Sequence, residues 1–135
     1  LVSSHQKIRN GLSEVEQLDP GRIENLKSRI HHSLEEIKQR VKVDENRFEQ
    51  ELIYYIEKLD LTEEKIRLAS HLDYFIEVIR DDQGASGKKL GFLCQELGRE
   101  INTIGSKAND AGIQRSVVGM KEELEKIKEQ ILNIL

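Results

Sequence analysis

The chain has 135 residues, of which 34% are charged and 37% hydrophobic, with a net charge of −4, one cysteine and one proline. This length suits a single domain with its own core, and the composition is too apolar for a disordered chain. No apolar run approaches the roughly 18 residues of a membrane span, no secretory signal is recognisable, and a lone cysteine cannot form an internal disulfide. We therefore expect a cytoplasmic protein with no membrane partner. Because the chain begins at Leu1, we also expect a piece of a longer protein.

The first half of the chain has helical periodicity interrupted by residues that typically cap helices. DPGR at 19–22 predicts a helix start with Asp19 as the cap. The apolar stripe that follows predicts an amphipathic helix through Ile23, Leu26, Ile30, Leu34, Ile37 and Val41. Asp44 is predicted to cap the second helix, and Thr62, in LTEE, to begin the third through a capping box.

The same spacing predicts which side chains face the core. The second and third helices would bury Phe48, Leu52, Tyr55, Ile56 and Leu59, and Ile66, Ala69, Leu72, Phe75, Ile76 and Ile79. The fourth and fifth would bury Leu90, Leu93, Leu97, Ile101 and Ile104, and Val117, Met120, Leu124, Ile127, Ile131 and Ile134. Loops are predicted at 81–88 and at 107–112, where Asn109 or Gly112 would supply a left-handed residue. The sequence thus predicts an all-α bundle of long antiparallel helices with a coiled-coil-like C-terminal hairpin.

The polar face of the fourth predicted helix is the first candidate site. Helical spacing places its residues in two rows, Gln95, Arg99, Asn102 and Ser106, and Glu96, Glu100, Thr103 and Lys107, both expected opposite the apolar seam. Two carboxylates one turn apart repel unless a cation lies between them, which suits Mg²⁺ or Mn²⁺. Arg99 can bind a phosphate with two hydrogen bonds, and Lys88 and Lys89 would attract one. A solvated helix face without function has a similar composition, so that alternative stays open, although Asn, Thr, Ser and Gly are weak helix formers.

Histidine is the second candidate. His71 shares a helix face with Glu64 and Arg67, with Tyr74 one turn further along, and its side chain is suited to proton transfer near neutral pH. The alternative is a hydrogen-bonded structural histidine. Cys94 has no partner base nearby in sequence and is interpreted as a packing residue.

Four segments follow one another in a distinctive order: RFEQEL (47–52), LDLTEEKIRLASHLDYF (59–75), GKKLGFLCQELGREINTIGSKAND (87–110) and VVGMKEELEKIKEQILNI (117–134). They resemble the C-terminal helical domain of the YicC/YloC family of bacterial proteins. The resemblance makes residues 44–135 a YicC-like C-terminal domain and residues 1–43 a helical connecting segment. It implies a cytoplasmic endoribonuclease that requires a divalent metal. It also implies a ring-like homo-oligomer, such as a hexamer, in which the protein's own N-terminal domain, expected outside this sequence, helps to enclose RNA.

The resemblance also implies the site residues. Carried over position by position, the family signature falls on Arg67, His71, Gly87, Lys88, Lys89, Gln95, Glu96, Arg99, Glu100, Asn102, Thr103, Ser106 and Lys107. Three positions depart from the family pattern: Gly91 replaces an aspartate, Gly98 an asparagine and Leu135 a glutamate. The loss of a carboxylate and an amide near Glu96 and Arg99 raises the question of how well this chain binds metal or cleaves RNA.

Our first hypothesis is therefore a metal-dependent endoribonuclease domain. In it Glu96 and Glu100 hold Mn²⁺ or Mg²⁺, and His71 acts as the acid or base. The RNA backbone would contact Arg67, Lys88, Lys89, Gln95, Arg99, Asn102, Thr103, Ser106 and Lys107. The alternatives are a helical oligomerisation scaffold, favoured by the near-heptad last helix and the acidic net charge, and an RNA-binding module without catalysis of its own.

Overall fold

A computed structural model describes residues 1–81 and 87–134 of the chain. Within these residues the secondary structure is entirely helical and consists of α1 (Val2–Lys38), α2 (Glu45–Leu59), α3 (Thr62–Arg80), α4 (Gly87–Lys107) and α5 (Ala111–Ile134). The all-α prediction is thereby confirmed. Most of the predicted loop at 81–88, the side chain of Ile134 and the departure at Leu135 lie outside the described residues. None of the helices described combines the length and the apolar character that a bilayer crossing requires.

Four of the helices form an antiparallel bundle in the ring order α1, α3, α4, α5. Helix α1 runs antiparallel to α3, because Asp19 contacts Lys65 whereas the earlier Arg9 contacts the later Asp73. Helices α3 and α4 are antiparallel by the contacts Glu64–Lys107 and His71–Glu100. Helices α4 and α5 are antiparallel by Gly98–Leu124 and Gly105–Val117. Helices α1 and α5 are antiparallel by Glu14–Ser116 and Lys7–Glu123. Adjacent helices therefore alternate in direction around one core, as in other up-down bundles.

The core confirms the predicted faces of α4 and α5 and corrects that of α3. Each predicted core residue of α4 is buried, as is each of α5 through Ile131. On α3, however, Ile66 is 65% exposed, while Leu68 and Val78 are buried beside Leu72 and Phe75. Apolar residues lie on more than one side of α3, and residues two apart point in nearly opposite directions, so burying Leu68 turns Ile66 outward. The closed ring of helices selects the face.

The predicted helix start at DPGR is wrong, because α1 continues through Pro20 without a break. A proline inside a helix removes one backbone hydrogen bond and costs about 3 kcal/mol. Asp19 does not cap the helix. Its carboxylate is buried and accepts hydrogen bonds from Arg22 at 2.7 Å and from Lys65 of α3 at 2.8 Å. Burial favours the neutral form of Asp19, but these two cations outweigh it and lower its pKa. Tertiary contacts thus hold α1 together where local sequence favours a break.

The second half of α1 and the whole of α2 lie at the edge of the bundle. Of the six residues in the predicted apolar stripe of α1, only Leu34 is buried, and Ile37 and Val41 are exposed. On α2 only Leu52 is buried, and the predicted core residue Tyr55 is 47% exposed. The core prediction for α2 is thus confirmed at Leu52 and wrong at Tyr55, because amphipathic helices bury their stripe only where a partner covers it. The domain boundary at residues 43 and 44 stays a prediction.

The capping predictions divide in the same way. Asp44 caps α2 by accepting a hydrogen bond from the backbone N–H of Arg47 at 3.2 Å. Thr62 forms no capping box, because Leu61 occupies the N-cap position of α3 and the Thr62 hydroxyl donates to Asp60 instead. Gly112 lies inside α5 rather than in a left-handed turn, and an added Cβ there would lie 2.8 Å from a methyl carbon of Leu18. Its small size permits the close approach of α1 and α5.

Candidate functional site

A cleft of about 440 Å³ opens between α3 and α4. Its lining consists of His71, Tyr74, Lys88, Lys89, Phe92 and Leu93. The antiparallel packing of the two helices brings the later turns of α3 beside the first turns of α4. The first turn of a helix carries backbone N–H groups without helical partners and favours anions. The cleft therefore combines an imidazole, two cations and two aromatic rings at an end of a helix that attracts negative charge.

The contact between His71 and Glu100 lies at the base of this arrangement. Glu100 is only 3% exposed, and its Oε2 lies 3.2 Å from Nδ1 of His71. An ionised carboxylate can only accept, so Nδ1–H of His71 is the donor. In the neutral ring this leaves Nε2 as an unprotonated acceptor. A buried carboxylate thus fixes the orientation and the tautomer of a histidine that lines the cleft.

The two polar rows of α4 have different environments. Gln95, Arg99, Asn102 and Ser106 form the exposed row, as predicted. The second row faces α3, because Glu100 is buried against His71 and Lys107 contacts Glu64. The prediction that both rows lie opposite the apolar seam is therefore wrong for the second row. Helix α3 covers this flank of α4, which a helical wheel of α4 alone cannot indicate.

Two of the predicted phosphate-binding cations lie away from the cleft. The Lys107 ammonium donates to Glu64 Oε1 at 2.8 Å and to the Asp60 carbonyl at 3.2 Å, which joins the end of α4 to the start of α3. Arg67 forms an ion pair with Glu63 one turn away on the surface of α3. Thr103 and Ser106 donate their hydroxyls to backbone carbonyls of α4. The structure thus places His71, which contacts Glu100, in one cleft with the two lysines, and these other residues are not part of the cleft lining.

The donor set for a metal is small. Glu96 is half-buried one turn before Glu100, and carboxylate oxygens are ligands that Mg²⁺ and Mn²⁺ prefer. Over residues 1–81 and 87–134, no three His, Cys, Asp or Glu side chains are grouped closely enough to hold a metal. Glu100 also has one oxygen engaged by His71. This donor set fits an oriented histidine better than a cage for a metal, and metal binding by Glu96 and Glu100 stays a prediction.

Two of the three positions that depart from the family pattern, Gly91 and Gly98, lie on the flank of α4 that faces α5. Gly91 lines a separate cleft between α4 and α5 together with Cys94, Gln95 and Lys128, and an added Cβ there would meet no atom within 4 Å. Gly98 faces Leu124 of α5. Neither glycine lines the α3–α4 cleft. Cys94 is buried, which raises its pKa to about 11 and confirms its interpretation as a packing residue.

Two residues of the cleft, Tyr74 and Phe92, are absent from the site residues predicted from sequence. Tyr74 is 45% exposed and Phe92 is 59% exposed, although both are large and apolar. One sequence signal was available: Phe92 lies on the polar face of α4, away from the apolar seam, where a large apolar residue is not expected. Tyr74 lies one turn after His71 on α3, and helical spacing places it beside the His71 face without giving it a role. Only the packing of α3 against α4 shows that the two rings line one cleft.

Comparison with known proteins places this architecture in a family. The family model described as "Endoribonuclease YicC-like, C-terminal" matches residues 15–135. The chain is 39% identical over 128 residues to a protein named "Probable endoribonuclease YicC" from Clostridioides difficile (strain 630), covering 94% of this chain and 43% of that protein. A protein of the same name from Haemophilus influenzae (strain ATCC 51907 / DSM 11121 / KW20 / Rd) is 36% identical over 92 residues, covering 68% of this chain and 32% of that protein. The chain thus spans less than half the length of these relatives, and it belongs to the endoribonuclease YicC-like family as a C-terminal domain.

Proposed function

We propose that this domain carries the RNA-cleaving site of an endoribonuclease, located in the α3–α4 cleft. The observation that carries the proposal is the buried Glu100 carboxylate 3.2 Å from Nδ1 of His71, a side chain that lines the same cleft as the two lysines at the start of α4. A histidine held in one tautomer by a buried carboxylate is an arrangement suited to general acid–base catalysis. The names of the relatives support RNA as the substrate.

In this proposal His71 moves the proton. Its Nε2 removes a proton from the attacking oxygen, either of water or of a ribose 2′-hydroxyl, as that oxygen forms a bond to phosphorus. The bond from phosphorus to the 5′-oxygen breaks, and that oxygen takes up a proton from solvent water on leaving, while the imidazolium of His71 returns its proton to solvent. Glu100 is a positioning residue, because it touches His71 and stabilises the imidazolium that forms.

The lysines hold the phosphate in this scheme. Lys88 and Lys89 are exposed cations in the first turn of α4, where the helix end itself favours an anion. They would neutralise part of the charge on an RNA phosphate and hold the strand along the cleft that His71 lines. Arg99, on the exposed row, would contact the RNA backbone further along. Binding should therefore weaken as salt rises, since each neutralised phosphate releases counterions.

The remaining predicted properties belong to the same proposal. Mn²⁺ or Mg²⁺, held by Glu96 together with RNA phosphate, would add Lewis-acid stabilisation of charge, and no step above depends on it. We also propose a cytoplasmic, ring-like homo-oligomer in which the protein's own N-terminal domain contributes to RNA binding.

A second candidate function is an oligomerisation scaffold. It is favoured by a groove of about 540 Å³ along the second half of α1 and the start of α2, whose lining includes Leu26, Ile30, Leu34 and Phe48. An apolar groove of this kind on an exposed edge is typical of an interaction surface. The scaffold and the nuclease are compatible, because the groove and the α3–α4 cleft share no lining residue.

The test is cleavage of a labelled RNA by the protein, measured with manganese and with a chelator. We expect His71→Ala to lower the rate by about 10²-fold or more, as expected for loss of a general acid or base. His32→Ala, on the exposed surface of α1, is the matched control and should cleave normally. Cleavage that is equal in wild type and His71→Ala would sink the proposed site. Intact, oligomeric protein without any cleavage would favour the scaffold.

A further inference from the structure

We propose that the α3–α4 cleft selects RNA at an unpaired nucleotide, whose base stacks against Tyr74 and Phe92 while the adjoining phosphate lies on Lys88 and Lys89. This inference rests on the proposed function and names the substrate class of the same site. It assigns a role to two side chains that the proton-transfer chemistry does not use.

The first observation is that both rings are exposed and unoccupied by the protein itself. Tyr74 is 45% exposed and Phe92 is 59% exposed. In residues 1–81 and 87–134 neither ring packs against another aromatic ring, since the aromatic pairs are His5 with Phe75 and His31 with Phe48. A single exposed apolar residue is ordinary, but two rings in one concave site have their faces available to a ligand.

The second observation is which side chains lie beside these rings. The chain has three tyrosines and three phenylalanines, and one of each lines this cleft together with two lysines and His71. Aromatic rings beside cations are what proteins use to bind single-stranded nucleic acid, because the rings stack on bases and the cations bind the backbone. Acidic peptides would use the lysines but would leave the rings without a role.

The third observation is the register of the groups along the helices. Phe92 lies three and four residues after Lys89 and Lys88, on neighbouring positions of the α4 surface. Tyr74 lies three residues after His71, one turn along α3. The pairing of His71 with Glu100 sets the order along the cleft as the lysines, Phe92, Tyr74 and His71. A base against the rings would thus have one adjoining phosphate on the lysine side and the other toward the histidine. The site therefore couples recognition of the base to the position of the reacting phosphate.

Paired RNA does not offer its base to such a site. In an A-form helix the base faces are covered by their neighbours, and the deep major groove does not admit side chains. Stacking on Tyr74 and Phe92 requires a base that is splayed out, as in loops, bulges and single strands. We expect single-stranded RNA to bind more tightly than the same strand in a duplex.

Binding is best tested with a short unstructured RNA that contains 2-aminopurine, whose fluorescence falls on stacking, alone and annealed to its complement. All variants carry His71→Gln so that the RNA stays intact during the titration. Tyr74→Leu and Phe92→Leu should each weaken binding of the single strand by roughly five- to a hundredfold and restore the fluorescence. Tyr74→Phe, which keeps the ring, should bind like the parent. Tyr54→Leu and Tyr55→Leu, exposed on α2, are matched controls and should also bind like the parent.

The outcomes separate this inference from the proposed function. The inference would be overturned if single strand and duplex bind equally and if Tyr74→Leu and Phe92→Leu leave binding unchanged. Cleavage that depends on His71 would in that case still support the proposed function. Ring-dependent binding of the single strand without cleavage by the wild type would support the inference and overturn the proposed function.

Discussion

Glu100 Oε2 lies 3.2 Å from His71 Nδ1, and this contact joins α4 to α3 beside the cleft. A second contact, with the acid on α3 and the base on α4, pairs Glu64 with Lys107 and joins the start of α3 to the end of α4. The two pairs fix the register between α3 and α4. The histidine is therefore held by the same contacts that set the packing of the bundle.

The first prediction concerns the dependence of His71 on Glu100. We expect His71→Gln to lower RNA cleavage by about 10²–10⁴-fold and Glu100→Gln by a smaller factor, because the latter only misorients the ring. The double variant should cleave no more slowly than His71→Gln alone, since residues that act as one unit are non-additive. Single-turnover cleavage rates of the wild type, the two single variants and the double variant form a double-mutant cycle that measures this non-additivity.

Glu96→Gln distinguishes positioning from metal binding. If Glu96 binds metal, its loss should raise the manganese concentration needed for half-maximal cleavage. The defect of Glu100→Gln should persist at every manganese concentration if Glu100 only positions His71. Rescue of Glu100→Gln by excess manganese would instead identify Glu100 as a metal ligand.

A second prediction concerns Asp19, which is buried between Arg22 and Lys65. Removing one partner of a buried ion pair leaves the others uncompensated, so Asp19→Asn should lower the free energy of unfolding by about 3–5 kcal/mol at neutral pH. Asp73→Asn is the matched control, because Asp73 pairs with Arg9 on the exposed surface and should cost at most about 1 kcal/mol. Urea unfolding followed by circular dichroism measures both.

The pH dependence of the Asp19 contribution has a definite sign. Its pKa in the folded protein is below the ordinary value of 3.8, so its contribution is complete above that value and is lost as the pH falls through the folded pKa. The stability difference between wild type and Asp19→Asn should shrink over that acidic range. A difference that stays constant down to the acid transition would contradict the assignment.

The third prediction concerns His5, which is 4% exposed and whose Nε2–H donates to the Leu72 carbonyl at 2.7 Å. Burial lowers its pKa below the ordinary value of 6.5. The unfolded chain therefore binds the proton more readily, and this residue's stabilising contribution is full above pH 6.5 and falls as the pH drops toward the folded pKa. His5→Gln should show a smaller loss of stability between about pH 7.5 and about pH 5 than the wild type.

His32→Gln is the control for this experiment. Its side chain is 78% exposed, so it should leave the pH profile of stability unchanged. Parallel profiles for wild type and His5→Gln would show that His5 does not titrate with unfolding.

The fourth prediction concerns the close packing of α1 against α5. A Cβ added at Gly11 would lie 2.5 Å from Cγ of Met120, so Gly11→Ala should lower the free energy of unfolding by about 1–3 kcal/mol. Gly21→Ala lies in the same helix with no atom within 4 Å of the added Cβ, and it should stabilise by about 0.5–1 kcal/mol. Thermal unfolding of both variants provides the comparison, and a stabilised Gly11→Ala would contradict the packing described.

Several features were predictable from sequence because they depend on residues close together in the chain. The seams of α4 and α5 follow from apolar residues every three or four positions, and the cap at Asp44 follows from a side chain and a backbone N–H three residues apart. The family also follows from local motifs in order. These signals need no knowledge of what packs against them.

Other features depend on partners distant in the chain. Helix α1 continues through Pro20 although local propensity favours a break, and Asp19 within this stretch binds Lys65 of α3. Ile66 is exposed because the ring of helices buries the opposite side of α3. Propensity is a weak preference that tertiary contacts override, and a helix with apolar residues on two sides has no single face in its sequence.

The candidate site likewise has some features that local sequence determines and others that depend on distant partners. The sequence by itself determined the all-α class, the family and the chemical types at positions 71, 88, 89 and 100, because these depend on residue identity and local spacing. Only the tertiary structure places His71 in contact with Glu100 and Lys107 in an ion pair with Glu64. It also places Tyr74 and Phe92 in the lining of one cleft. The physical reason is that helical periodicity fixes which residues share a face of one helix. Which face of a neighbouring helix packs against it depends on burial of the whole core.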